Sequence, residues 1–294
     1  MSNENDWLAG RFESGRARLR AMAYRMTGSL SDADDAVQEG WIRVAGADAS
    51  AVDNLEAWFT TIVARICLDM LRSRKSRRED PPLADEIATH SSPAADSSPE
   101  QEAVLADSVG LAMLVVLDTL PPAERVAFVL HDTFGLPFEE IAAITGRTPA
   151  AARQLASRAR RRIHGTPSVP EDRLVRQRRV AEAFIAAARG GDLTALLTVL
   201  DPDIVLNGDA GSSPTGRPLT LRGAATVARG ARTAAARARD SRLMLIDGTP
   251  GIVWAPHGRL TVVLAFTIPG DTITRIDIIS DPGRLAGFDL ALLD

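Results

Sequence analysis

The sequence predicts a chain of three folded parts, two all-α modules followed by an α+β domain. Three observations carry this. Residues 11–78 and 103–164 place apolar side chains at helical spacing. Between them, residues 79–102 hold seven acids, four prolines and no basic residue, the composition of a flexible linker. After Thr166-Pro167-Ser168-Val169-Pro170 the pattern becomes helices followed by a run of strands, the order of an α+β domain. The expected boundaries are 8–78, 79–102, 103–165 and 172–294 in a chain of 294 residues, a length that suits two or three domains.

The elements follow in order. Leu19, Ala23 and Met26 share one face of a helix over 16–26. Gly28-Ser29-Leu30-Ser31 interrupts it. Ser31 or Asp32 suits the N-cap of a helix over 33–44, with Asp34 and Asp35 in the first turn, where the helix dipole favours acids. A third helix spans 55–74, with Trp58, Ile62, Ile66 and Met70 four apart. In the second module an apolar stretch over 111–117 stops at Leu120-Pro121-Pro122, and helices are expected at 123–134, 138–145 and 150–163. Gly146 makes the turn before the last of these, Thr148 caps it and Pro149 takes its first position. The third part should hold helices at 172–189, 192–199 and 223–239, and strands at 203–207, 242–247, 251–255, 259–268 and 272–280.

Composition excludes several classes. Cys67 is the single cysteine, so neither a disulfide framework nor a cysteine-rich zinc module is possible. His90, His131, His164 and His257 lack metal-ligand spacing, and no metal or cofactor is expected. No apolar run is long enough to span a bilayer, and the first residues lack the signal-peptide pattern. A soluble, cytoplasmic protein without a membrane partner is therefore expected. The net charge of −4 hides a sorting of charge. Residues 72–78 carry five positive charges, residues 79–124 contain no Lys or Arg, and residues 141–165 contain six Arg and no acid. Such blocks suggest two polyanion-binding surfaces joined by a strap that avoids polyanions.

Three constellations can carry function. FEEIAAITGRTPAAARQLASRARRR, residues 138–162, is a helix-turn-helix pattern. Ile141, Ala142 and Leu155 face inward, while Arg153, Gln154, Ser157 and Arg158 share an exposed side. Arg grips guanine edges and Gln reads adenine; Arg160, Arg161 and Arg162 lie where phosphates would run. The competing reading is an exposed basic helix without a partner, common in a chain with 33 Arg and one Lys. In 55–78, Trp58 and Phe59 precede a basic track containing Arg72, Arg74 and Lys75. Aromatics beside such a track suit single-stranded DNA; alternatively Trp58 is ordinary core. In 32–44 one helix face carries Asp34, Asp35, Gln38 and Glu39, a solvated face or a protein-docking surface. Cys67, Tyr24 and Trp41 read as core.

At this point the segments, in their order, resemble a bacterial sigma factor of the extracytoplasmic-function (ECF) type. YRMTGSLSDADDAVQEGWIRV resembles region 2. The resemblance implies that Asp34, Asp35, Gln38 and Glu39 bind the clamp helices of the RNA polymerase β′ subunit. LEAWFTTIVARICLDMLRSRKSRRE resembles the part that reads and melts the −10 promoter element. It implies −10 contacts from Asn54, Trp58, Phe59, Arg72, Arg74 and Lys75, with the loop over 45–54 as the pocket for a flipped base. LPPAERVAFVLHDTFGLPFEEIAAITGRTPAAARQLASRARRR resembles region 4, which grips the −35 duplex and meets the polymerase β flap. The implied −35 contacts are Arg147, Thr148, Arg153, Gln154, Ser157, Arg158 and Arg161.

The last 120 or so residues resemble the SnoaL-like cone-shaped fold related to ketosteroid isomerase. ECF factors with this extension form a branch in which it modulates activity. This sequence departs from the branch at three places. RREDPPLADEIA stands where W-L-P-E-P is frequent, Asn207-Gly208-Asp209-Ala210-Gly211 where a Gly-rich D-G-G-G-K/R motif is expected, and Asp281-Pro282-Gly283-Arg284-Leu285 where N-P-D-K-L occurs. No catalytic residue is assigned. Asp203, Asp209, Asp277 and His257 are candidates by type, and nothing in their spacing pairs them. A small-ligand pocket or intramolecular docking is the expected role of this domain. Two rivals remain: a polymerase-independent helix-turn-helix regulator with a ligand-sensing C-terminal domain, and an enzyme with a DNA-binding appendage, which requires a deep pocket with a buried carboxylate.

Overall fold

The computed structural model describes residues 2–47, 52–79, 110–213 and 216–293. Beyond Glu79 the expected linker lies outside the described residues, as do 48–51 of the loop expected at 45–54. The chain divides into two compact units. One joins Met1–Val109 with Leu120–Arg160; the other joins Gly110–Thr119 with Arg161–Asp294.

The first unit opens with α1 (Ser2–Thr27), α2 (Leu30–Ala45) and α3 (Leu55–Glu79). Helix α1 begins well before residue 16, because Leu8 and Phe12 extend its apolar face into the core. Phe12 packs against Trp41 (5.2 Å) and edge-on against Phe59 (5.1 Å). Gly40 lets α2 and α3 approach closely: a Cβ there would lie 2.8 Å from Val63 Cγ2. The N-cap of α2 is Ser29, whose side chain accepts from the Asp32 N–H at 3.3 Å, and not Ser31 or Asp32. Gly28, at φ +73°, closes α1 by donating to Tyr24 O. Ser29 is thereby left as the extended residue at the next helix start, and Leu30 turns into the core at 1% exposure.

A second set of helices completes this unit. It consists of α5 (Pro122–Phe128) running into a π-helical turn (Val129–Thr133), α6 (Phe138–Thr145) and α7 (Pro149–His164). Helix α3 packs against α5 and α6. Arg65 Nη2 donates to Ala143 O at 2.9 Å, and the buried Arg125 reaches Arg25 O from Nε at 3.4 Å. The Arg25 guanidinium lies 5.5 Å above the Phe134 ring. The two helical modules that the sequence sets apart are thus packed as one body.

The second unit contains α4 (Leu111–Thr119), α8 (Glu171–Gly190), α9 (Leu193–Val199), β1 (Leu200–Gly208), β2 (Leu219–Arg222), α10 (Ala224–Thr233) and α11 (Ala235–Arg239). It continues with β3 (Ser241–Ile246), β4 (Thr249–Trp254), β5 (Val262–Thr267), β6 (Ile273–Ile279), α12 (Pro282–Leu285) and β7 (Leu290–Ala291). The sheet runs β2-β1-β6-β5-β4-β3-β7; β1 and β6 are parallel and the other neighbours antiparallel. The α+β order is the one expected, with three additions and one break. The short β2, α12 and β7 were not foreseen, and the helix expected over 223–239 breaks at Ala234. The core gathers Val180, Phe184, Leu196, Ile204, Val227, Phe266 and Ile276, with Phe184 and Phe266 edge-on at 5.3 Å.

Helix α4 lies inside the segment expected as 103–165 but packs within the C-terminal unit. Its sequence, LAMLVVLDT, is apolar all round up to Leu117, which suits a helix packed on more than one side. Leu114, Val115, Val116 and Leu117 are at most 1% exposed. The helix packs on β3, β7 and the turn over 256–258, so it belongs to the C-terminal unit and not to the helix-turn-helix. The end of α7 is drawn in as well: Ile163 is buried and its carbonyl accepts from the Leu292 N–H at 2.7 Å.

Candidate nucleic-acid interface

Helices α6 and α7 form the helix-turn-helix. Gly146, at φ +69°, ends α6, and the Arg147 N–H returns to Ala142 O at 2.9 Å. Thr148 Oγ1 accepts from the Ala151 N–H at 3.2 Å, the expected cap, and Pro149 begins α7. Ile141, Ala152, Leu155, Ala156 and Ala159 are buried. That leaves Arg147, Thr148, Arg153, Gln154, Arg158 and Arg161 exposed and Ser157 half-buried.

The exposed side is not uniform. Arg158 Nε donates to Glu124 Oε1 at 2.9 Å, and Glu124 is only 6% exposed. Arg153 lies 5.1 Å above the Phe138 ring, and Arg160 pairs with Asp132 at 2.6 Å. Arg147, Gln154 and Arg161 have no partner among the described residues. They stand ready for an external acceptor, whereas Arg158 and Arg153 must first leave an internal one.

The acidic face of α2 divides in the same way. Asp34 takes a bidentate pair from Arg20 (2.5 and 2.9 Å), and Glu39 pairs with Arg43 at 3.0 Å. Asp35 and Gln38 are exposed and without partners among the described residues. Asp32 is held by Arg74, which also donates to Thr27 O at 3.1 Å. Arg74 is therefore a brace between α3 and the α1–α2 turn.

Along α3, Asn54 Oδ1 accepts from the Ala57 N–H at 3.1 Å and so caps the helix. Trp58 is half-buried, 5.7 Å from the Phe59 ring. Phe59 corrects an expectation: at 2% exposure, against Phe12, it is a core residue and offers no face to a base. Arg72 is exposed and pairs with Asp69 at 3.6 Å. The Lys75 side chain lies outside the described residues. Cys67 is fully buried; burial pushes its thiol up to about 12, so it is inert at neutral pH.

The C-terminal unit encloses a cavity of about 440 Å³ between α8, α10, α11 and the sheet. None of its described lining residues is a carboxylate. Asp209 hydrogen-bonds two of them, Ser212 and Ser280. Partial burial raises its pKa, but this is outweighed by bonds from Ser280 Oγ and from the N–H groups of Ser280, Asp281 and Ser212, which hold it at about 2. The same bonds join the segments 207–211 and 281–285 that the sequence singled out. An aspartate so stabilised is a poor base. Asp277 is bound by Asn207 and Arg275 on the sheet face opposite the cavity-lining Ile276 and Ile278. Asp203 is exposed. The His257 side chain lies outside the described residues.

The depressed pKa of Asp209 makes its stabilisation pH-dependent. It is fully present above the ordinary value of 3.8 and is lost as pH falls through about 2. Asp209→Asn should flatten the acid limb of the melting profile between about pH 4 and pH 2; an unchanged limb would assign it to other carboxylates.

A capped helix-turn-helix with Arg147 in its turn and Arg161 on its outer helix, both without partners among the described residues, has the form of a DNA-binding element. Comparison with known proteins sharpens this class. The family model for Sigma-70 region 2 matches residues 12–77, and that for Sigma-70 region 4 matches residues 111–163. The chain is 35% identical over 288 residues to the probable ECF RNA polymerase sigma factor SigI of Mycobacterium tuberculosis, covering 96% of each. It is 41% identical over 214 residues to the ECF RNA polymerase sigma factor SigJ of the same organism, covering 69% of this chain and 66% of that one. A crystal structure of the M. tuberculosis extracytoplasmic function sigma factor SigJ aligns over 95% of this chain and 98% of that one, at 30% identity and a TM-score of 0.44. The chain belongs to the ECF family of RNA polymerase sigma factors. Among its described residues, no helix is long and apolar enough to cross a membrane.

Proposed function

We propose that this chain directs core RNA polymerase to promoters by reading a −35 duplex with α7 and a −10 strand with the start of α3. The observation that carries the reading is the capped α6–α7 pair, which presents Arg147, Gln154 and Arg161 without partners among the described residues. Arg153, Ser157 and Arg158 complete the duplex-facing set, with Thr148 at the first phosphate. Asn54, Trp58, Arg72 and Lys75 contact the melted strand, and the loop over 45–54 takes the flipped base. Asp34, Asp35, Gln38 and Glu39 dock the β′ clamp, and region 4 meets the β flap. Members of this family are regulatory proteins, and the chain acts by binding.

The fused C-terminal domain sets how available these surfaces are. Support comes from α4: it opens the segment matched by region 4, yet it is buried in the C-terminal unit. The alternative, a polymerase-independent regulator that senses a ligand, draws its support from the cavity.

Transcription with purified core polymerase on genomic fragments tests the reading. Defined start sites should appear only when the chain is added. Asp35→Arg combined with Gln38→Arg should reduce them at least tenfold while leaving thermal stability unchanged, since neither side chain has a partner to lose among the described residues. Tight sequence-specific DNA binding by the chain alone, with no transcript on adding polymerase, would favour the regulator.

A further inference from the structure

We propose that the cavity of the C-terminal unit binds an apolar small molecule with one anionic end, and that Arg237 receives that end. The volume, about 440 Å³, lies within the range of small-molecule sites. Its walls are aliphatic and aromatic, with Phe184, Leu206, Leu221, Ile252, Leu264 and Ile276 among them. A void lined this way costs stability when empty and gains from any apolar body that fills it.

The polar groups on the wall decide what kind of body. Four hydroxyls line the cavity, and each already donates within the protein. Ser212 Oγ donates to Asp209 O (2.8 Å), Ser280 Oγ to Asp209 Oδ1 (2.6 Å), Ser241 Oγ to Arg237 O (2.9 Å) and Thr261 Oγ1 to Arg259 O (3.1 Å). Two donors remain. The Arg237 guanidinium lies 5.5 Å above the Trp254 ring, and no acid pairs with it among the described residues. The Trp254 Nε1–H beneath it is buried without a partner among the described residues. Both residues line the cavity, at α11 and the end of β4.

Charge therefore enters from one side only. Arg237 is the one charged residue among the described lining residues, so a cationic ligand meets a like charge and no counter-charge. A carboxylate deep in the apolar part would be stripped of water with nothing in return. A carboxylate at the Arg237 end gains a charge-assisted bond while the rest of the molecule displaces water from the walls. The ligand class is accordingly a hydrophobic organic acid.

Calorimetric titration of the full chain with decanoate and with decanol tests this, because the two share a body and differ in the head. Decanoate should bind saturably, one per chain, and decanol at least tenfold more weakly. Arg237→Gln should erase that difference. Ala231→Phe fills the cavity from α10 and should weaken both ligands, with a thermal melt confirming the fold; Ala234→Phe serves if that variant does not fold. Equal binding of the two by the unaltered chain would overturn the acid class. So would a preference that survives Arg237→Gln. No saturable binding, or binding untouched by cavity filling, would overturn the site. The assay contains neither polymerase nor DNA, so its failure leaves the promoter reading standing.

Discussion

Arg158→Ala should destabilise the N-terminal unit by about 2 kcal/mol and lower its melting midpoint by roughly 4–8 °C. The cause is Glu124. Its carboxylate is 6% exposed and takes the Arg158 Nε bond at 2.9 Å. Removing one partner of a fully buried pair costs about 3–5 kcal/mol. The Arg158 side chain is 46% exposed, so solvent screens part of that loss and the lower figure applies. Glu124→Gln in the same chain should restore most of the stability, because a neutral amide no longer needs the counter-charge. Arg158→Lys should recover little, since a point charge lacks the planar Nε fork.

Promoter binding by the holoenzyme separates this internal role from the external one. If Arg158 also grips the −35 duplex, Arg158→Ala weakens promoter affinity by about 1–3 kcal/mol even with Glu124→Gln present. Glu124→Gln alone frees the guanidinium and should then leave affinity intact or raised. If affinity falls in Arg158→Ala and returns in the double variant, Arg158 braces the helix-turn-helix and reads no base.

The same pair shows what a sequence can and cannot disclose. The turn of the helix-turn-helix was legible because its signals are local: Gly146, Thr148, Pro149 and the apolar spacing around Ile141 and Leu155 lie within a few residues of one another. The strands of the C-terminal domain were legible as apolar runs for a similar reason. The ion pairs were not. Arg158 and Glu124 are 34 positions apart and Arg20 and Asp34 are 14 apart; with 33 Arg in the chain, no spacing rule selects them. Phe59 failed differently. An aromatic beside a basic track suits both a stacking platform and a core, and only the position of Phe12 decides between them. The α2 cap moved to Ser29 because Gly28 had already closed the preceding helix.

Helix α4 was legible as a helix, but its partner was not, because a helix that is apolar all round has no face that names its neighbour. The structure supplies that neighbour, and with it the second prediction. Gly258→Ala should loosen α4 from the C-terminal unit and raise transcription by the full chain about 5–30-fold. Gly258 sits at φ +76°, where an alanine costs about 1–2 kcal/mol. Its Cβ would also lie 3.2 Å from Leu114 Cβ, so α4 must give by a few tenths of an ångström to accommodate it. A cost of 1–2 kcal/mol shifts a two-state balance about 5–30-fold, and the shifted state returns to region 4 the helix with which its match begins. Amide exchange over 111–119 reads the loosening directly. Gly270→Ala, where a Cβ meets nothing within 4 Å, is the control and should change neither exchange nor transcript. Truncation after residue 168 is a blunter test: it strips the cover from Leu114, Val115, Val116 and Leu117 together, so aggregation competes with any gain. Faster exchange in Gly258→Ala with an unchanged transcript would show that the extension does not restrain the factor through α4, and its control would then have to act elsewhere on the chain.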